Sequence, residues 1–276
     1  SLRRTQIEQA LGLGIRKLGN PVLVVDKSGH LVMFVVTVTI GGWAGSSVTV
    51  LDSSNGGHKW DSAHRLITSP FLNVSTLVKA PPVPLENGGW LLPVYHELLN
   101  KRGEVLWLND EMRLRARWRI GYREAMLQPW LVPLSKTRLL AFLRRASDIP
   151  EVFRSESGDG GIHWSLPRVT DLPNPNAAVA VVRRPDGTLL MVGNPTASDR
   201  NTLALSVSSD EGRHWRQVAR LEHSDDTSVE FSYPWLMMDR YGEYHVVYTW
   251  RRLRMRHVSF NEAWLRKKLA DMKGGS

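Results

Sequence analysis

Polar and charged side chains recur where apolar segments of this chain come to an end. They are Tyr95-His96-Glu97, Arg144-Arg145, Asn194 and Trp250-Arg251-Arg252. A strand with a purely structural role ends in turn residues instead. An arginine guanidinium binds a carboxylate through two parallel hydrogen bonds and does not lose its charge. If these strand ends meet, they suit a ligand with an acidic group, such as an acidic sugar.

The elements that would position these side chains form a repeat. A strand, a turn and a second strand follow one another five times, as apolar runs around turn residues do in β-hairpins. The first strands of the five units start at Asn20, Ser75, Gln128, Asn176 and Tyr233. A spacing of about 50 residues suits the four-stranded blade of a β-propeller. The innermost strands of all blades point at one axis, so equivalent positions are expected to converge.

A shorter motif, Ser-x-Asp-x-Gly-x-x-Trp, supports the same period. Its three copies are Ser53–Trp60 (with Asn55 in place of Asp), Ser157–Trp164 and Ser208–Trp215. The Asp or Asn accepts hydrogen bonds from backbone amides in a tight turn, and the Gly takes a conformation that is costly for other residues. The first two copies lie about twice as far apart as the last two, so one unit without a copy lies between them. We interpret the motif as structural.

Composition narrows the class of protein. The 276 residues are 42% hydrophobic, which suffices for a sizeable core. Without cysteine there is no disulfide framework and no thiolate zinc site. The net charge of +9 favours anionic partners. The apolar run from Leu31 to Ala44 is too short to cross a bilayer and predicts a buried strand.

Helices are expected only near the ends, at 7–17 and at 261–272 with Asn261 as N-cap. The fold predicted is all-β, a β-propeller of four-stranded blades forming one domain over 1–276. An N-terminal segment (1–18) precedes five repeats (19–265) and a tail (266–276). A β-sandwich is the alternative, but it gives no reason for a constant period. Nothing near Ser1 resembles a signal peptide, so the compartment stays open between cytoplasmic and exported.

The three motif copies resemble the Asp boxes of the sialidase (neuraminidase) superfamily. Further stretches are similar to the bacterial family of predicted neuraminidases with BNR-type repeats, from about Arg16 to Leu265. They are Arg16–Pro21, Gly41–Ser47, Pro93–Glu97, Leu127–Pro129, Arg200–Leu203, Phe231–Pro234 and Tyr248–Arg252. The resemblance implies a sialidase-type propeller of six blades, of which about five are recognisable here. It also places one substrate-binding arginine and the acid/base aspartate in a further, earlier blade.

The resemblance implies a retaining glycoside hydrolase for a terminal acidic sugar, sialic acid or a relative, with a tyrosine nucleophile. Tyr233, which follows Glu230 and opens the last unit, is the nucleophile it implies. Glu97 or Glu230 would act as base. The residues expected to contact substrate are Arg144, Arg200, Arg251, Tyr95, His96, Gln128, Asn20 and Trp43. Gln128 stands where sialidases carry Glu.

Two other functions stay open. The chain could be a carbohydrate-binding propeller without catalysis, since Gln128 replaces Glu and five units are counted. It could also be a polysaccharide lyase using Tyr95 and His96. No cofactor or metal is expected, because no second histidine stands at ligand spacing from His96. The partner expected is an acidic glycan, without nucleic acid or a membrane span.

Two alternating arginine series complete the candidates. Arg113, Arg115, Arg117 and Arg119 are predicted to share one strand face, as are Arg252, Arg254 and Arg256. Both series suit a solvated outer strand, and the alternative is a polyanion such as an acidic polysaccharide.

Overall fold

Five β-sheets make up the part of the chain that the computed structural model describes, residues 3–69, 73–98, 101–121, 125–146 and 149–271. They fall into two compact units. Unit 1 comprises 1–131, 136–138 and 157–165, and unit 2 comprises 132–135, 139–156 and 166–276. Each sheet corresponds to one of the five repeats predicted from the sequence, and we number these sheets as blades 1 to 5.

Blades 1 and 2 belong to unit 1, and each runs from an inner first strand to an outer last strand. Blade 1 has the order β1 (Lys17–Val25), β2 (Leu31–Val38), β3 (Ser46–Ser53) and β4 (Ser62–Arg65). In blade 2 the first position is split, because β5 (Leu77–Val78) and β6 (Val83–Pro84) both pair with β7. The blade continues through β7 (Trp90–His96), β8 (Arg102–Leu108) and β9 (Leu114–Ile120).

The remaining blades keep this antiparallel plan. Blade 3 comprises β10 (Met126–Pro133), β11 (Leu139–Arg145), β12 (Glu151–Ser157) and β13 (Arg168–Pro173). Blade 4 comprises β14 (Ala180–Arg183), β15 (Leu189–Gly193), β16 (Thr202–Ser208) and β17 (Arg216–His223). Blade 5 has three strands among the described residues, β18 (Phe231–Met238), β19 (Glu243–Trp250) and β20 (Arg254–Asn261).

The core follows from the apolar runs at the second strand of each blade. β2 and β11 are buried along nearly their whole length, as strands covered on both faces are expected to be. β19 instead alternates between buried and partly exposed residues, with Tyr244, Val246 and Tyr248 on its buried face. The predicted buried strand within residues 31–44 is therefore confirmed for Leu31–Val38.

The three Asp-box copies fold into the same hydrogen-bonded turn. In the second copy the Ser157 hydroxyl bonds to Asp159 at 2.8 Å and accepts the backbone N–H of Gly161 at 2.9 Å. Asp159 Oδ1 accepts the N–H of His163 at 2.9 Å. The first and third copies repeat all three contacts. The interpretation of the motif as a structural clasp agrees with this geometry.

Two features of the clasp explain why it requires a glycine. Gly161 and Gly212 have φ of 92° and 82°, where a side chain is strained. A Cβ at Gly212 would also lie 2.4 Å from Phe142 of blade 3, and one at Gly161 would lie 2.9 Å from Leu91 of blade 2. Each of these two turns therefore packs closely on the preceding blade.

Two α-helices flank the sheets. α1 (Arg4–Leu11) begins earlier than predicted and ends before Gly12, whose left-handed conformation stops it. Its Ile7 packs with Met33, Val35 and Leu51 of blade 1. α2 (Glu262–Asp271) starts as predicted, because the Asn261 side chain accepts the Trp264 N–H at 2.9 Å. No helix among the described residues is long and apolar enough to cross a membrane.

Candidate functional site

One backbone feature recurs at the start of the first strand in every blade. Each of the five equivalent residues has a positive φ, between 48° and 62°, although none is glycine: Asn20, Ser75, Gln128, Asn176 and Tyr233. Residues with side chains pay a conformational cost there, and such strain collects at functional sites. In blades 1 and 5 the pairing register also shifts at this point. The positions that the repeat predicted to be equivalent thus share one unusual conformation.

In unit 1, two of these residues meet at a tyrosine. The amide nitrogens of Asn20 and Gln128 donate to the phenol oxygen of Tyr95 at 3.3 and 3.2 Å. Tyr95 is only 2% exposed. The Oε1 atom of Gln128 is buried and has no hydrogen-bond partner among the described residues. We call Asn20, Trp43, Tyr95 and Gln128 the Tyr95 cluster.

Trp43 joins this cluster through the backbone of blade 1. It lies in a 3-10 turn (Trp43–Gly45), and a Cβ at Gly19 would come 2.5 Å from the end of its ring. Only glycine therefore lets the indole pack over the strand next to Asn20. The ring stays 39% exposed, as a sugar-stacking side chain would be.

The left-handed residue of blade 2 holds a loop rather than a side chain. The Ser75 hydroxyl accepts the backbone N–H groups of Glu97 and Leu98 at 3.0 and 2.8 Å. It thereby fixes the backbone directly after β7, where Glu97 is partly exposed. Glu97 is thus anchored by its backbone.

His96 points away from its neighbour Tyr95, since successive side chains of a strand face opposite sides. Its Nε2 lies 2.9 Å from the carboxylate of Glu104, which also accepts from Arg102 at 2.7 Å. Burial acts to raise the pKa of Glu104, but the contacts with His96 and Arg102 outweigh it and lower the pKa to about 2. The structure therefore does not bring Tyr95 and His96 together as an acid–base pair.

In unit 2, two arginines converge on one backbone carbonyl. Arg144 Nη1 donates to the carbonyl oxygen of Asn176 at 2.7 Å, and Arg200 Nη2 donates to the same oxygen at 2.9 Å. Arg144 also bonds to the Asn176 side chain at 3.0 Å. Asn176 is the left-handed residue of blade 4, so its strained backbone brings two guanidinium groups side by side.

Tyr233 and Glu230 complete this group. The Arg200 guanidinium lies 5.7 Å from the centre of the Tyr233 ring, and its Nη1 donates to Glu230 at 3.0 Å. The second oxygen of Glu230 accepts from Arg252 at 2.6 Å. We call Arg144, Asn176, Arg200, Glu230, Tyr233 and Arg252 the Tyr233 cluster. Within this cluster Glu230 pairs with two arginines at once, Arg200 and Arg252.

The ionisation of Glu230 follows from these contacts. Burial acts to raise its pKa, but the nearby Ser232 hydroxyl, the charge of Arg200 and the hydrogen bonds from Arg252 and Arg200 lower it below the ordinary value. Glu230 is therefore a carboxylate at neutral pH, able to accept a proton and to orient Arg200.

The Arg251 side chain points elsewhere. Its guanidinium stacks on the Trp250 ring at 4.7 Å, while its backbone N–H donates to the carbonyl of Glu230 at 2.8 Å. The side chain that contacts the Glu230 carboxylate is that of Arg252. Asn194 has a supporting part, since its side-chain amide donates to the backbone carbonyls of Thr202 and Phe231 at 2.7 and 2.8 Å. These bonds tie the strand after Arg200 to the strand that carries Tyr233.

Two residues of these networks escaped the sequence analysis. Arg252 was placed among the polar strand ends and in a solvated series but was not proposed as a site residue, and Glu104 was not singled out. The available signal for Glu104 was a carboxylate within the apolar run of β8, next to Arg102. A buried charge of this kind is found only with partners.

Metal-ligand groupings occur away from the two clusters. Among the described residues, three potential ligand atoms come together at Asp26, His30 and Asp52, and again at Asp239, Glu243 and His245. Both groupings lie at hairpin turns, where Asp26 and Asp239 accept backbone N–H groups. Such bonds account for these aspartates as turn residues.

The sequence matches a known domain family over most of its length. Residues 3–246 match the family described as BNR repeat-like domain. A comparison with curated proteins finds no match.

Solved structures with the same fold include several sialidases. The Hadza microbial sialidase Hz136 superposes with a TM-score of 0.71 at 14% identity, covering 89% of this chain and 53% of that one. The NanB sialidase from Streptococcus pneumoniae gives 0.70 at 10% identity, covering 89% and 56%. The chain thus spans about half the length of these two sialidases.

Two other neighbours have different activities. The intramolecular trans-sialidase from Ruminococcus gnavus gives a TM-score of 0.71 at 12% identity, covering 90% of this chain and 78% of that one. The α-L-arabinanase of Penicillium chrysogenum gives 0.66 at 14% identity, covering 91% and 78%. At identities this low, the structural similarity establishes the fold alone. The prediction of an all-β, sialidase-type propeller is confirmed.

Proposed function

The chain belongs to the BNR repeat-like domain family, and we propose that it is a sialidase-like glycoside hydrolase for a terminal acidic sugar. The observation that carries this proposal is the convergence of Arg144 and Arg200 on the Asn176 carbonyl, beside Tyr233. Two guanidinium groups held at one point offer paired donors to the acidic group of a substrate.

The acidic group of the substrate is assigned to the two arginines. A sugar carboxylate stays ionised at neutral pH, and guanidinium groups bind it in a forked geometry that lysine cannot supply. Arg144 is largely buried, whereas the Arg200 side chain is 21% exposed. A partly desolvated site strengthens such a pair relative to one in open water.

Tyr233 is the proposed nucleophile. The residue is 40% exposed, as a side chain open to a substrate would be. A neutral phenol is not repelled by the substrate carboxylate, whereas an Asp or Glu nucleophile would be. Attack of the phenol oxygen on the anomeric carbon breaks the bond to the leaving-group oxygen, which takes up a proton, while the phenol proton passes to a base. Water then hydrolyses the glycosyl–tyrosine bond and restores the phenol. The neighbouring Arg200, 5.7 Å from the ring centre, favours negative charge on the ring.

Glu230 is the base we favour, because it is ionised and directly precedes β18, the strand that carries Tyr233. Glu97 is the other candidate. Asn20, Trp43, Tyr95, His96 and Gln128 remain proposed substrate-contacting or positioning residues, while Arg251 has the weakest support. Among them the unpartnered Gln128 Oε1 is suited to accept a hydrogen bond from a sugar hydroxyl.

A glycan-binding propeller without catalysis is the second candidate. It is favoured by Glu230 itself, whose two carboxylate oxygens are both engaged by arginines. A carboxylate held this way is a weak base. Binding of an acidic glycan, in contrast, needs only the arginine donors of the cluster. The neighbouring trans-sialidase was solved in complex with oseltamivir carboxylate, a compound with an acidic group.

The test is turnover of fluorogenic sialosides, uronides and an arabinoside by the purified chain. We expect hydrolysis of one acidic glycoside and none of the neutral arabinoside. Tyr233→Phe should abolish it, whereas Tyr241→Phe, at an exposed turn, should not. Calorimetric binding without turnover would support the second candidate. If the chain neither binds nor hydrolyses any acidic sugar, both candidate functions are overturned.

A further inference from the structure

The outer side of blade 2 carries a second concentration of arginines, in unit 1. All four arginines that alternate around β9 are exposed, and β9 is the last strand of its sheet. Arg65 of β4 and Arg102 of β8 add to them. We define the β9 flank by these residues: Arg65, Arg102, Arg113, Arg115, Arg117 and Arg119.

Side-chain contacts place β9 next to the outer part of blade 1. Arg117 Nη1 donates to the backbone carbonyl of Thr68 at 2.8 Å, and His64 Nε2 lies 3.2 Å from the carbonyl of Met112. Burial lowers the pKa of His64, and the charge of Arg113 lowers it further. The arginines of the β9 flank thus share one continuous positive region with β4.

Among the described residues, Glu104 is the carboxylate that pairs with arginines of the flank. It bonds Arg102 at 2.7 Å and lies 3.7 Å from Arg119. Arg113 and Arg115 form no ion pair with any residue that the structure describes, and Arg117 bonds only to a carbonyl. Several guanidinium groups on one short strand therefore create a local positive potential.

The other arginine series shows that this excess is not a general property of the chain. Arg252 is paired with Glu230 and Arg256 with Glu222, both at 2.6 Å. Arg254 stacks on the Trp250 ring at 4.5 Å. Two arginines of that series therefore pair with carboxylates and the third stacks on an indole, whereas Arg113 and Arg115 form no ion pair with any described residue.

We propose that the β9 flank binds a linear acidic polysaccharide, whose successive carboxylates pair with the arginines along the strand. Alternate residues of a strand lie about 6.6 Å apart, which spaces Arg117 and Arg119 within β9, while Arg113 and Arg115 lie around the register shift at its start. Together they present several forked donors to a repeated acid. This goes beyond the proposed function, because binding on unit 1 needs no bond cleavage. Its effect would be to hold a polymeric substrate on the protein.

The strand register favours a glycan over a nucleic acid. Proteins that bind single strands place aromatic rings among the basic side chains, so that bases stack on them. Here Trp118 pairs opposite Val105, and its ring stacks with Trp107. Arg117 and Arg119 flank Trp118 in sequence and so face the other side of the sheet. The arginine face has charge without a stacking surface.

The experiment is calorimetric titration with polygalacturonate, a polymer of acidic sugars, at low and raised salt. We expect salt-sensitive binding, and at least about tenfold weaker binding by the double variant Arg113→Ser/Arg115→Ser. The matched control, Arg254→Ser/Arg256→Ser, removes the same charge from β20, where Arg254 stacks on Trp250 and Arg256 pairs with Glu222. It should change the affinity by less than about threefold. Circular dichroism and thermal melting confirm that each variant is folded.

Three results would overturn the proposal. They are absence of polygalacturonate binding, equal losses in the two double variants, and tighter binding of single-stranded DNA than of polygalacturonate at the same salt. Equal losses would mean that only net charge matters. Because binding is measured rather than turnover, failure of the sialoside assay would leave this test unaffected.

Discussion

The two tyrosine clusters use the same backbone device for different ends. In the Tyr95 cluster, the left-handed residues Asn20 and Gln128 turn their amides toward the tyrosine. In the Tyr233 cluster, the tyrosine is itself left-handed, and the left-handed Asn176 accepts from Arg144 and Arg200. Tyr95 is 2% exposed, and its oxygen accepts hydrogen bonds from two neutral amide groups. Tyr233 is 40% exposed and lies against Arg200. Burial with neutral donors suits a structural support, and exposure beside a cation suits a reacting group.

The carboxylates near the two tyrosines differ in the same way. Glu104 is 2% exposed and is satisfied by His96 and Arg102. Glu230 has an 11% exposed side chain and pairs with Arg200 and Arg252. The comparison teaches that exposure, more than the presence of Tyr, Glu and Arg, separates a stabilising network from a candidate site.

The largest expected effect separates the two tyrosines. Tyr233→Phe should lower kcat/KM by more than about 100-fold with little change in stability, because it removes only a reacting oxygen. Tyr95→Phe should instead lower the free energy of unfolding by about 1–3 kcal/mol, because two buried amides lose their acceptor. Kinetics and urea unfolding of both variants measure this. Equal activity losses would remove the distinction.

The next effect is on the acid stability conferred by Glu104. Its folded pKa of about 2 lies below the ordinary 4.5, so its contribution is present above pH 4.5 and is lost as the pH falls toward 2. Glu104→Gln should therefore cost about 3 kcal/mol at pH 7, and less as the pH falls below 4.5. Urea unfolding across this range measures the difference.

The control for this prediction is Glu86→Gln. Glu86 pairs with Lys136 on the surface, where both side chains are more than half exposed. Its loss should change the stability by less than about 1 kcal/mol. A pH-independent cost of Glu104→Gln would show that its charge is not what stabilises blade 2.

A smaller effect tests which arginines bind the acid. Arg144→Lys and Arg200→Lys should each raise KM about tenfold, since lysine keeps the charge and loses the fork. Arg251→Lys should leave KM unchanged, because Arg251 stacks on Trp250 instead. Steady-state kinetics on the best acidic glycoside decide this, and an effect of Arg251 as large as that of Arg200 would contradict the assignment.

The smallest effect concerns Glu97. Ser75→Ala removes the acceptor of two backbone N–H groups and should cost about 1 kcal/mol. If Glu230 is the base, activity should fall less than about threefold. A loss of tenfold or more, absent from the turn variant Ser54→Ala, would transfer the role of base to Glu97.

The sequence predicted the repeat better than the contacts. The five units were found from the recurring strand–turn–strand pattern, and one backbone conformation recurs near each strand start. The first helix was placed at 7–17, but it ends at Leu11 before the left-handed Gly12. Gly12 and Gly14 signal this end in the sequence, but the apolar spacing from Ile7 onward was given more weight.

The site could be predicted only in part, because pairing across the chain decides it. Neither spacing nor residue type reveals that Arg252, and not Arg251, turns toward Glu230. The uniform alternation predicted for β9 was also incomplete. A register shift between Trp107 and Leu108 interrupts the pairing of β8 with β9 near Arg115. Such an irregularity leaves no mark in a sequence of alternating arginines.

The central claim is that Tyr233 is the group that reacts with an acidic glycoside. Its most direct test is peptide mass spectrometry of the protein, quenched in acid during turnover of the sialoside. We predict a glycosyl adduct on the peptide that carries Tyr233, and none on the peptide that carries Tyr95. Turnover without an adduct on Tyr233, or an adduct on another residue, would contradict the account.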